Sequence, residues 1–280
     1  MARYDTIGIK YNKYRKADNR IVFVLKDLLG LPEGSTIIDV GAGTGNYSNE
    51  LSMLGYKIKA IEPSKAMREQ ANPMPNVEWF SGSSESIPLE NSSVDGLIST
   101  LTVHHFSDLS AAAMEMWRVC GDSSMILLTI DPRIGEPFWF HKYFPGIYKQ
   151  LLDAFIPVEK LISIFTLNFS AHASVHKFPL PSDLTDMNMH AGWNRPEIYF
   201  DYEVRRGISP FALADEAEVQ NGLDQLWSDL KSGRWDKKYG YLRKKASYDL
   251  GFIFVKFVRT ISPSGIAKAR RLSHANIASS

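Results

Sequence analysis

The most informative part of this 280-residue chain is Ile37-Ile38-Asp39-Val40-Gly41-Ala42-Gly43-Thr44-Gly45. An apolar run leads into three glycines, and a segment compatible with a helix follows. A short run that is buried on both faces is typical of a strand in a parallel sheet with helices outside. Glycine lets the backbone turn sharply and lets a ligand approach the main chain. The stretch therefore predicts a ligand-binding turn at the carboxyl end of a buried strand.

Strands and helices are predicted to alternate on both sides of this turn as far as residue 131. The apolar runs are Thr36–Val40, Ile58–Ile61, Val77–Phe80, Gly96–Leu101 and Met125–Ile130. The segments between them that are long enough for helices are Tyr47–Leu54, Ser64–Ala71 and Leu109–Val119. A further helix is predicted upstream, because apolar residues recur at helical spacing from Ile21 to Leu29. This order predicts a doubly wound α/β fold.

The second half of the chain departs from this alternation. Pro137–Thr166 is rich in aromatic residues and proline, which favours helical material outside the regular alternation. Ala173–Leu180 and Tyr248–Val258 have the pattern of two further strands. The residues from Ser262 onward predict a mobile terminus.

Composition excludes several classes of function. Lys and Arg number 32 and Asp and Glu 31, so the net charge of +1 lacks the basic excess that nucleic-acid binders usually carry. The single cysteine, Cys120, excludes a disulfide framework and a multi-cysteine zinc site, and no metal site is expected. No apolar run approaches the roughly 20 residues of a membrane span, and the N-terminus lacks the hydrophobic stretch of a signal peptide. These features predict a soluble, cytoplasmic protein.

Two carboxylates near the glycine turn favour one kind of ligand. Glu62 ends the next apolar run, 21 residues after Gly41, a position from which an acid binds ribose hydroxyls in doubly wound sheets. The third glycine, Gly45, comes one residue early for a dinucleotide fingerprint. Asp39 would repel a pyrophosphate but not a cation. The pattern therefore favours S-adenosylmethionine, which carries a ribose, a sulfonium and an ammonium group, over NAD.

At these residues the sequence resembles the class I S-adenosylmethionine-dependent methyltransferases, in particular the small-molecule group called methyltransferase type 11. The resemblance is close over residues 10–131 and looser beyond them. Four segments carry it in the family's order: Asp39–Gly45, Ala60–Met67, Gly82–Leu89 and Val94–Phe106. One position departs from the family, because Ser83 stands where an Asp often accepts a hydrogen bond from the adenine amino group.

The resemblance implies a Rossmann-like, seven-stranded, mostly parallel sheet in a three-layer sandwich, with the last strand antiparallel and a helical cap over the site. The expected parts are a cofactor-covering segment (1–35), an S-adenosylmethionine-binding core (36–136), a cap with a late sheet strand (137–247), the last strand (248–261) and a mobile tail (262–280).

The resemblance also implies a cofactor site. Glu62 is expected to hold the ribose, the residues after it to flank adenine, and the Ser84 backbone or Glu85 to contact adenine in place of the missing Asp. The segment Tyr11–Arg15 is expected to close over the cofactor, with Arg15 pairing with its carboxylate. The expected cofactor-binding residues are Arg15, Asp39, Gly41, Ala42, Gly43, Gly45, Glu62, Pro63, Met67, Ser84, Glu85 and Thr100.

His104 and His105 are the candidate catalytic residues. They follow the fourth apolar run, where a histidine could accept a proton at neutral pH. The alternative is a packing or loop-capping role. Adjacent residues of a strand face opposite ways, so at most one of the pair is expected to reach the site, and His105 is preferred.

Aromatic residues beyond the core are candidates for binding the acceptor. Trp139, His141, Tyr143 and Trp193 would line a pocket for an apolar or aromatic molecule, or they would form the core of the cap. The function predicted from the sequence is methyl transfer to a small organic acceptor by direct displacement, with S-adenosylhomocysteine as product. Methylation of tRNA or rRNA, and non-catalytic binding of S-adenosylmethionine, remain alternatives. The expected partner is a small molecule, without nucleic acid or membrane, and the expected state is a monomer or homodimer.

Overall fold

The apolar runs of the sequence form one sheet with helices on both faces. The computed structural model describes residues 15–260. The strands of its main sheet are β1 (Thr36–Val40), β2 (Lys57–Ile61), β3 (Val77–Phe80), β4 (Gly96–Thr100), β5 (Ser124–Ile130), β6 (Ala171–Lys177) and β9 (Phe252–Arg259). A separate two-stranded sheet contains β7 (Leu180–Pro181) and β8 (Ser247–Tyr248).

Ten helices lie in the described part of the chain. They are α1 (Asn19–Leu29), α2 (Asn46–Met53), α3 (Lys65–Arg68), α4 (Leu109–Cys120), α5 (Pro145–Ala154), α6 (Val158–Thr166), α7 (Tyr202–Arg206), α8 (Ser209–Ala212), α9 (Glu216–Lys231) and α10 (Arg234–Tyr239). Short 3₁₀ turns occupy Val103–His105, Trp139–Lys142, Pro196–Phe200 and Gly240–Lys244.

The sheet has the order β3-β2-β1-β4-β5-β9-β6. Strands β1 to β5 are parallel, and β9 is antiparallel to both of its neighbours, β5 and β6. The order reverses at β1, so β1 and β4 flank the switch point where ligands bind outside the carboxyl ends of the strands. The predicted seven-stranded, mostly parallel sheet with an antiparallel last strand is confirmed.

Successive side chains of the central strands enter opposite layers. Ile37 packs with Ile21 and Leu25 of α1, whereas Ile38 belongs to the cluster that holds Trp117 of α4 and Phe165 of α6. Because both faces of the strands are covered, their apolar runs are continuous rather than alternating. The result is the three-layer sandwich that the resemblance implies.

An aromatic cluster holds the cap together. The ring of Trp139 meets those of Tyr143, Tyr199 and Trp235 edge-on, with centroids 5.8, 5.9 and 5.5 Å apart. Edge-to-face pairs of this kind add to the stability that burial provides. This cap comprises the turn Trp139–Lys142, α5 and the elements from β7 to β8.

Four segments differ from the sequence-based expectation. The strand predicted at Ala173–Leu180 spans Ala171–Lys177 instead. The predicted helix at Ser64–Ala71 is shorter, since α3 ends at Arg68. Helix α6 falls within the segment expected to be cap but packs against the sheet, because Val158, Leu161 and Phe165 join the core on the far face. The last strand begins at Phe252 rather than at 248, because Gly251 adopts a φ of +79° and turns the chain. The tail expected at 262–280 lies outside the described residues.

Gly251 provides a test of this turn. A Cβ at position 251 would lie 2.1 Å from the carbonyl oxygen of Asp131, which no real contact allows. Gly34 has a similar φ of +84° but open space around it. We expect Gly34→Ala to lower the free energy of unfolding by about 1 kcal/mol through backbone strain alone, and Gly251→Ala to lower it by about 3 kcal/mol through strain and overlap together. Urea denaturation measures both. Equal losses would show that the close approach to Asp131 does not constrain the turn.

Candidate active site

A cavity of about 180 Å³ opens at the carboxyl ends of β1, β2 and β4. It is the place where the topology of the sheet favours a ligand. The residues expected to bind the cofactor that line it are Arg15, Gly41, Ala42, Gly43, Glu62, Pro63, Met67, Ser84, Glu85 and Thr100. Asp39 and Gly45 lie close by but do not line the cavity. Residues Tyr11–Tyr14 of the expected covering segment lie outside the described residues.

The glycine turn brings the main chain to the edge of the cavity. Gly41, Gly43 and Gly45 have φ values of +77°, +59° and +81°, which side chains rarely adopt. A Cβ at Gly41 would lie 2.9 Å from the side chain of Thr102, and one at Gly45 would lie 2.7 Å from the ring of Trp79. The turn therefore requires glycine at 41 and 45 both for its conformation and for its packing.

Glu62 fixes the shape of this turn. Its Oε2 accepts a hydrogen bond from the backbone N–H of Gly43 at 3.0 Å, and its Oε1 accepts one from Ser64 at 2.9 Å. The side chain is nearly buried yet lines the cavity. Each carboxylate oxygen has two acceptor positions, so capacity remains for hydroxyl donors from a ligand.

Asp39 lies beneath the turn rather than in the cavity. Ser48 donates to its Oδ2 at 2.6 Å, and its Oδ1 has no hydrogen-bond partner within residues 15–260. Burial raises the pKa of Asp39 to about 7, a shift that Glu62 reinforces and the bond from Ser48 opposes. Asp39 does not line the cavity, and its carboxyl group lies beneath the turn; its expected part in cofactor binding stays a prediction.

Gly45 also lies outside the lining of the cavity, and its expected part in cofactor binding stays a prediction. It begins α2, its carbonyl accepts from the backbone N–H of Asn49 at 2.8 Å, and it faces Trp79 rather than the cavity. Its conformation shapes the turn without forming part of the cavity surface.

The loop after β3 supplies a second acidic group. Glu85 lines the cavity, and its Oε1 accepts from the backbone N–H and the hydroxyl of Ser107 at 2.8 and 3.0 Å. Burial alone would raise the pKa of Glu85, but hydrogen bonds, led by that from Ser84, outweigh it and hold the pKa at about 2. Glu85 is therefore ionised at neutral pH. Ser83 and Ser84 line the cavity beside it.

Arg15 connects the N-terminal segment to the cap. Its guanidinium forms an ion pair with Asp186, whose carboxylate also accepts from the hydroxyl of Tyr47 at 3.4 Å. The amide of Asn46 donates to the Arg15 carbonyl at 2.6 Å. Both members of the ion pair line the cavity, and the Asp186 side chain is only 2% exposed.

A second cavity, of about 150 Å³, lies against the first. The two share Arg15, Leu101 and His105. Leu101 follows β4 with a φ of +55°, which is strained for a branched residue, and its backbone N–H donates to the carbonyl of Leu128 at 2.8 Å. Backbone strain of this kind persists where the surrounding structure imposes it, and it is common at functional sites. The strain at Leu101 therefore indicates that the boundary between the cavities belongs to a functional site.

The two adjacent histidines are both near this boundary. They belong to the 3₁₀ turn Val103–His105, with ring centroids 3.9 Å apart. His105 lines both cavities and His104 lines the second, beside the ring of Phe155. The assumption that the pair lies on a strand is wrong, because the chain forms a tight turn there. Of the two, His105 alone lines the first cavity, and the catalytic role of either histidine stays a prediction.

The aromatic residues expected to contact the acceptor line neither cavity. Trp139 and Trp193 are buried in the cap, where the indole of Trp139 donates to the Trp193 carbonyl at 2.7 Å. Tyr143 donates to Asp229 at 2.8 Å, and Nδ1 of His141 lies 2.6 Å from the carbonyl oxygen of Phe138. Their packing and hydrogen bonds place all four in the structure of the cap.

Sequence reasoning missed the cap residues that do line the second cavity. Asn188, Met189 and His190 follow Asp186 in one turn of the chain and form part of its surface. The available signal was a pair of polar residues alternating with methionines in Met187-Asn188-Met189-His190, a pattern that would indicate a short strand although the chain forms a turn there.

Residues 15–260 contain neither a metal-binding cluster nor a membrane-spanning helix. No group of three or more His, Cys, Asp or Glu residues there could hold a metal ion. None of the helices in this range has the length and apolarity that crossing a bilayer requires.

Comparison with known proteins agrees with this geometry. The family model described as a methyltransferase domain matches residues 38–128. The crystal structure of a "Putative methyltransferase from antibiotic biosynthesis pathway" of Anabaena variabilis ATCC 29413 is 42% identical, with a TM-score of 0.86, and covers 89% of this chain and 100% of that one. A phosphoethanolamine N-methyltransferase of Haemonchus contortus, solved with S-adenosylmethionine, shares the fold at 15% identity, with a TM-score of 0.56 over 87% of this chain and 53% of that one.

A curated relative is similar over a shorter region. The malonyl-[acyl-carrier protein] O-methyltransferase of Yersinia pestis is 34% identical over 97 residues, which are 34% of this chain and 36% of that protein. The match thus spans about a third of the length of that relative.

The fold, the glycine turn and these similarities define a class of enzyme. The chain belongs to the class I S-adenosylmethionine-dependent methyltransferases.

The residues of the first cavity fit S-adenosylmethionine. The glycine turn leaves room for a ligand against the main chain, and Glu62 has acceptor capacity for ribose hydroxyls. The ionised Glu85 suits a ligand with cationic groups, whereas the carboxylate of Asp186 is already paired with Arg15.

Replacement of Glu62 tests this assignment. We expect Glu62→Gln to weaken binding of S-adenosylhomocysteine by at least about tenfold, because a charged acceptor becomes a neutral amide with one acceptor oxygen. Titration calorimetry measures the affinity. Glu78→Gln on β3 is the control, since that side chain is exposed. An affinity of Glu62→Gln equal to that of the control would remove the assigned ribose site.

Proposed function

We propose that the protein transfers a methyl group from S-adenosylmethionine in the first cavity to a small organic acceptor in the second. The observation that carries the proposal is the boundary shared by the two cavities, formed by Arg15, Leu101 and His105. Direct displacement requires the acceptor atom and the methyl group to be aligned within contact distance. Two adjoining cavities with a common boundary provide that arrangement.

The two cavities differ in charge, which supports this division of roles. Three carboxylates, those of Glu62, Glu85 and Asp186, and two cations, Arg15 and Lys16, line the first, whereas Arg15 is the charged Lys, Arg, Asp or Glu residue among the described residues that line the second. A cationic ligand is therefore favoured in the first cavity, and a molecule without a positive charge in the second.

Each group at the boundary has a role in the proposed reaction. When bound, S-adenosylmethionine supplies an activated methyl group: the bond from sulfur to the methyl carbon breaks as the bond from the acceptor atom forms, and S-adenosylhomocysteine leaves. Leu101 excludes water at the boundary. His105, which reaches both cavities, accepts the proton of an acceptor that must lose one. The Arg15–Asp186 pair holds the cap over the site.

A small acceptor is favoured by the position of the second cavity. Helices α5 and α8 and the turn Asp186–His190 enclose it on the cap side. The Yersinia pestis relative, by its name, methylates an oxygen of a malonyl group. Another relative, from Thermosynechococcus vestitus, is named a 2-phytyl-1,4-naphtoquinone methyltransferase and is 24% identical over 62% of this chain. These names support an organic acceptor but leave its identity open.

Transfer of a labelled methyl group tests the proposal. The purified protein is incubated with methyl-labelled S-adenosylmethionine and a panel of phenols, carboxylic acids and enolisable ketones, and labelled product is measured. We expect transfer to at least one class. We expect His105→Ala to slow transfer to a proton-bearing acceptor about a hundredfold, with the affinity for S-adenosylhomocysteine within about threefold of wild type.

His172→Ala is the matched control, because His172 is exposed on the edge strand β6. Equal rates for His105→Ala and this control would assign His105 to packing. Tight binding of S-adenosylmethionine with no transfer to any acceptor would instead favour a non-catalytic binding protein.

A further inference from the structure

A third cavity, of about 80 Å³, lies beside the second. The two share His104, Ala154 and Phe155, and the ring centroids of His104 and Phe155 are 4.3 Å apart. The third cavity also shares Phe106 with the first. It therefore borders both the cofactor site and the proposed acceptor site.

Two successive residues of β5 contribute to different cavities. Ile130, the last residue of the strand, lines the second cavity, and Thr129 lines the third. Because adjacent residues of a strand point to opposite faces, the two cavities reach β5 from opposite sides. The side chains that border both cavities make the third a neighbour of any ligand in the second.

Thr129 brings a hydroxyl group to the third cavity. The residue is only 6% exposed, and its hydroxyl forms no hydrogen bond within residues 15–260. The hydroxyl is nevertheless not one of the fully enclosed polar atoms without a partner in this range, so it keeps accessible surface. Since Thr129 lines the third cavity, a ligand there can reach this surface. A nearly buried hydroxyl without a partner is costly, so it favours a ligand that pairs with it.

The rest of the lining disfavours a charged ligand. Val103, Leu109 and Ile156 supply apolar surface, and no Lys, Arg, Asp or Glu is among the described residues that line the cavity. Burial of a charged group without a partner of opposite charge is costly. The third cavity therefore suits a neutral group, and the hydroxyl of Thr129 suits one with a polar atom.

The volumes of the two cavities limit the size of the ligand. An apolar protein cavity of roughly 150 Å³ is large enough to bind benzene. The second cavity has a volume of about 150 Å³ and the third of about 80 Å³. The second therefore has the size for one aromatic ring, and the third for a short substituent on that ring.

We propose that the third cavity binds a short, neutral, oxygen-bearing substituent of the acceptor, and that the hydroxyl of Thr129 forms a hydrogen bond with its oxygen. The acceptor class is then a molecule with one ring and a side group such as hydroxymethyl. The assignment rests on the proposed function in treating the second cavity as the acceptor site. Thr129 is thus a residue that determines specificity, and it selects against acceptors whose substituent is charged.

Binding of four related phenols tests this assignment. They are phenol, para-ethylphenol, para-(hydroxymethyl)phenol and para-(aminomethyl)phenol, of which the last three have equal numbers of non-hydrogen atoms. The meta isomers are measured as well, and the tighter isomer of each is compared. With S-adenosylhomocysteine at saturation, calorimetry gives the affinities. We expect the hydroxymethyl compound to bind at least about tenfold more tightly than phenol and than the amine.

Replacement of Thr129 separates the hydrogen bond from the space. Thr129→Val keeps the shape of the side chain and removes the hydroxyl. We expect it to lower the affinity for the hydroxymethyl compound at least about fivefold and to leave ethylphenol within about twofold. Thr36→Val is the matched control, because Thr36 begins β1 at the end of the sheet away from the cavities.

A second variant fills the space. Leu109 lines the third cavity but neither of the other two. We expect Leu109→Phe to reduce the affinities for ethylphenol and the hydroxymethyl compound to that for phenol, with phenol itself within about twofold of wild type. Leu167→Phe is the control, because Leu167 is 78% exposed.

Three results would overturn the assignment. They are equal affinity of wild type for phenol and the hydroxymethyl compound, an unchanged preference in Thr129→Val, and no measurable binding of any of the phenols. The first would show that the third cavity holds only solvent. None of these results depends on methyl transfer. If S-adenosylhomocysteine binds and labelled methyl is transferred to another acceptor while one of them is found, the proposed function stands and only the substituent site fails.

Discussion

The hydrogen bonds between the end of β2 and the glycine turn are the constraint on which the site depends. The carbonyl of Ile61 accepts from Gly41 and Ala42 at 2.9 and 3.0 Å, and the next residue, Glu62, accepts from Gly43. These bonds hold three successive N–H groups of a left-handed turn against the neighbouring strand. Because β1 and β2 are parallel and Val40 pairs with Ile61, the register of the sheet brings the acid and the glycines together.

The same edge of the sheet determines where the proposed acceptor lies. Strand β4 ends at Thr100, the strained Leu101 turns the chain, and Thr102 packs against Gly41. His105 follows in the 3₁₀ turn and reaches both cavities. The cap closes the site from the other side through one turn, in which Asp186 pairs with Arg15 and Asn188 lines the second cavity. The segment after β4 and the cap turn that contains Asp186 and Asn188 are far apart in the sequence, and together they bound the site.

The core could be predicted from the sequence because its signals are local. The apolar runs of β1 to β5 are continuous, as strands covered on both faces require, and the glycine turn with Glu62 has a spacing set by one strand–helix–strand unit. The cap could not be predicted in the same way. Aromatic residues such as Trp139 and Trp193 are common in ligand pockets, but in the folded protein both side chains are packed inside the cap. His104 and His105 were expected on a strand, and the positive φ of Leu101 ended it before them. Asn188 lies in a turn whose alternating residues resemble a short strand, so only the fold shows that it lines the second cavity.

A crystal structure with S-adenosylhomocysteine tests the central claim, that cofactor and acceptor meet at the boundary formed by Leu101 and His105. In this complex we expect the ribose hydroxyls to donate to Glu62 and the sulfur to face this boundary, toward the second cavity. A complex with the ribose away from Glu62, or with the sulfur separated from the second cavity by protein, would contradict it.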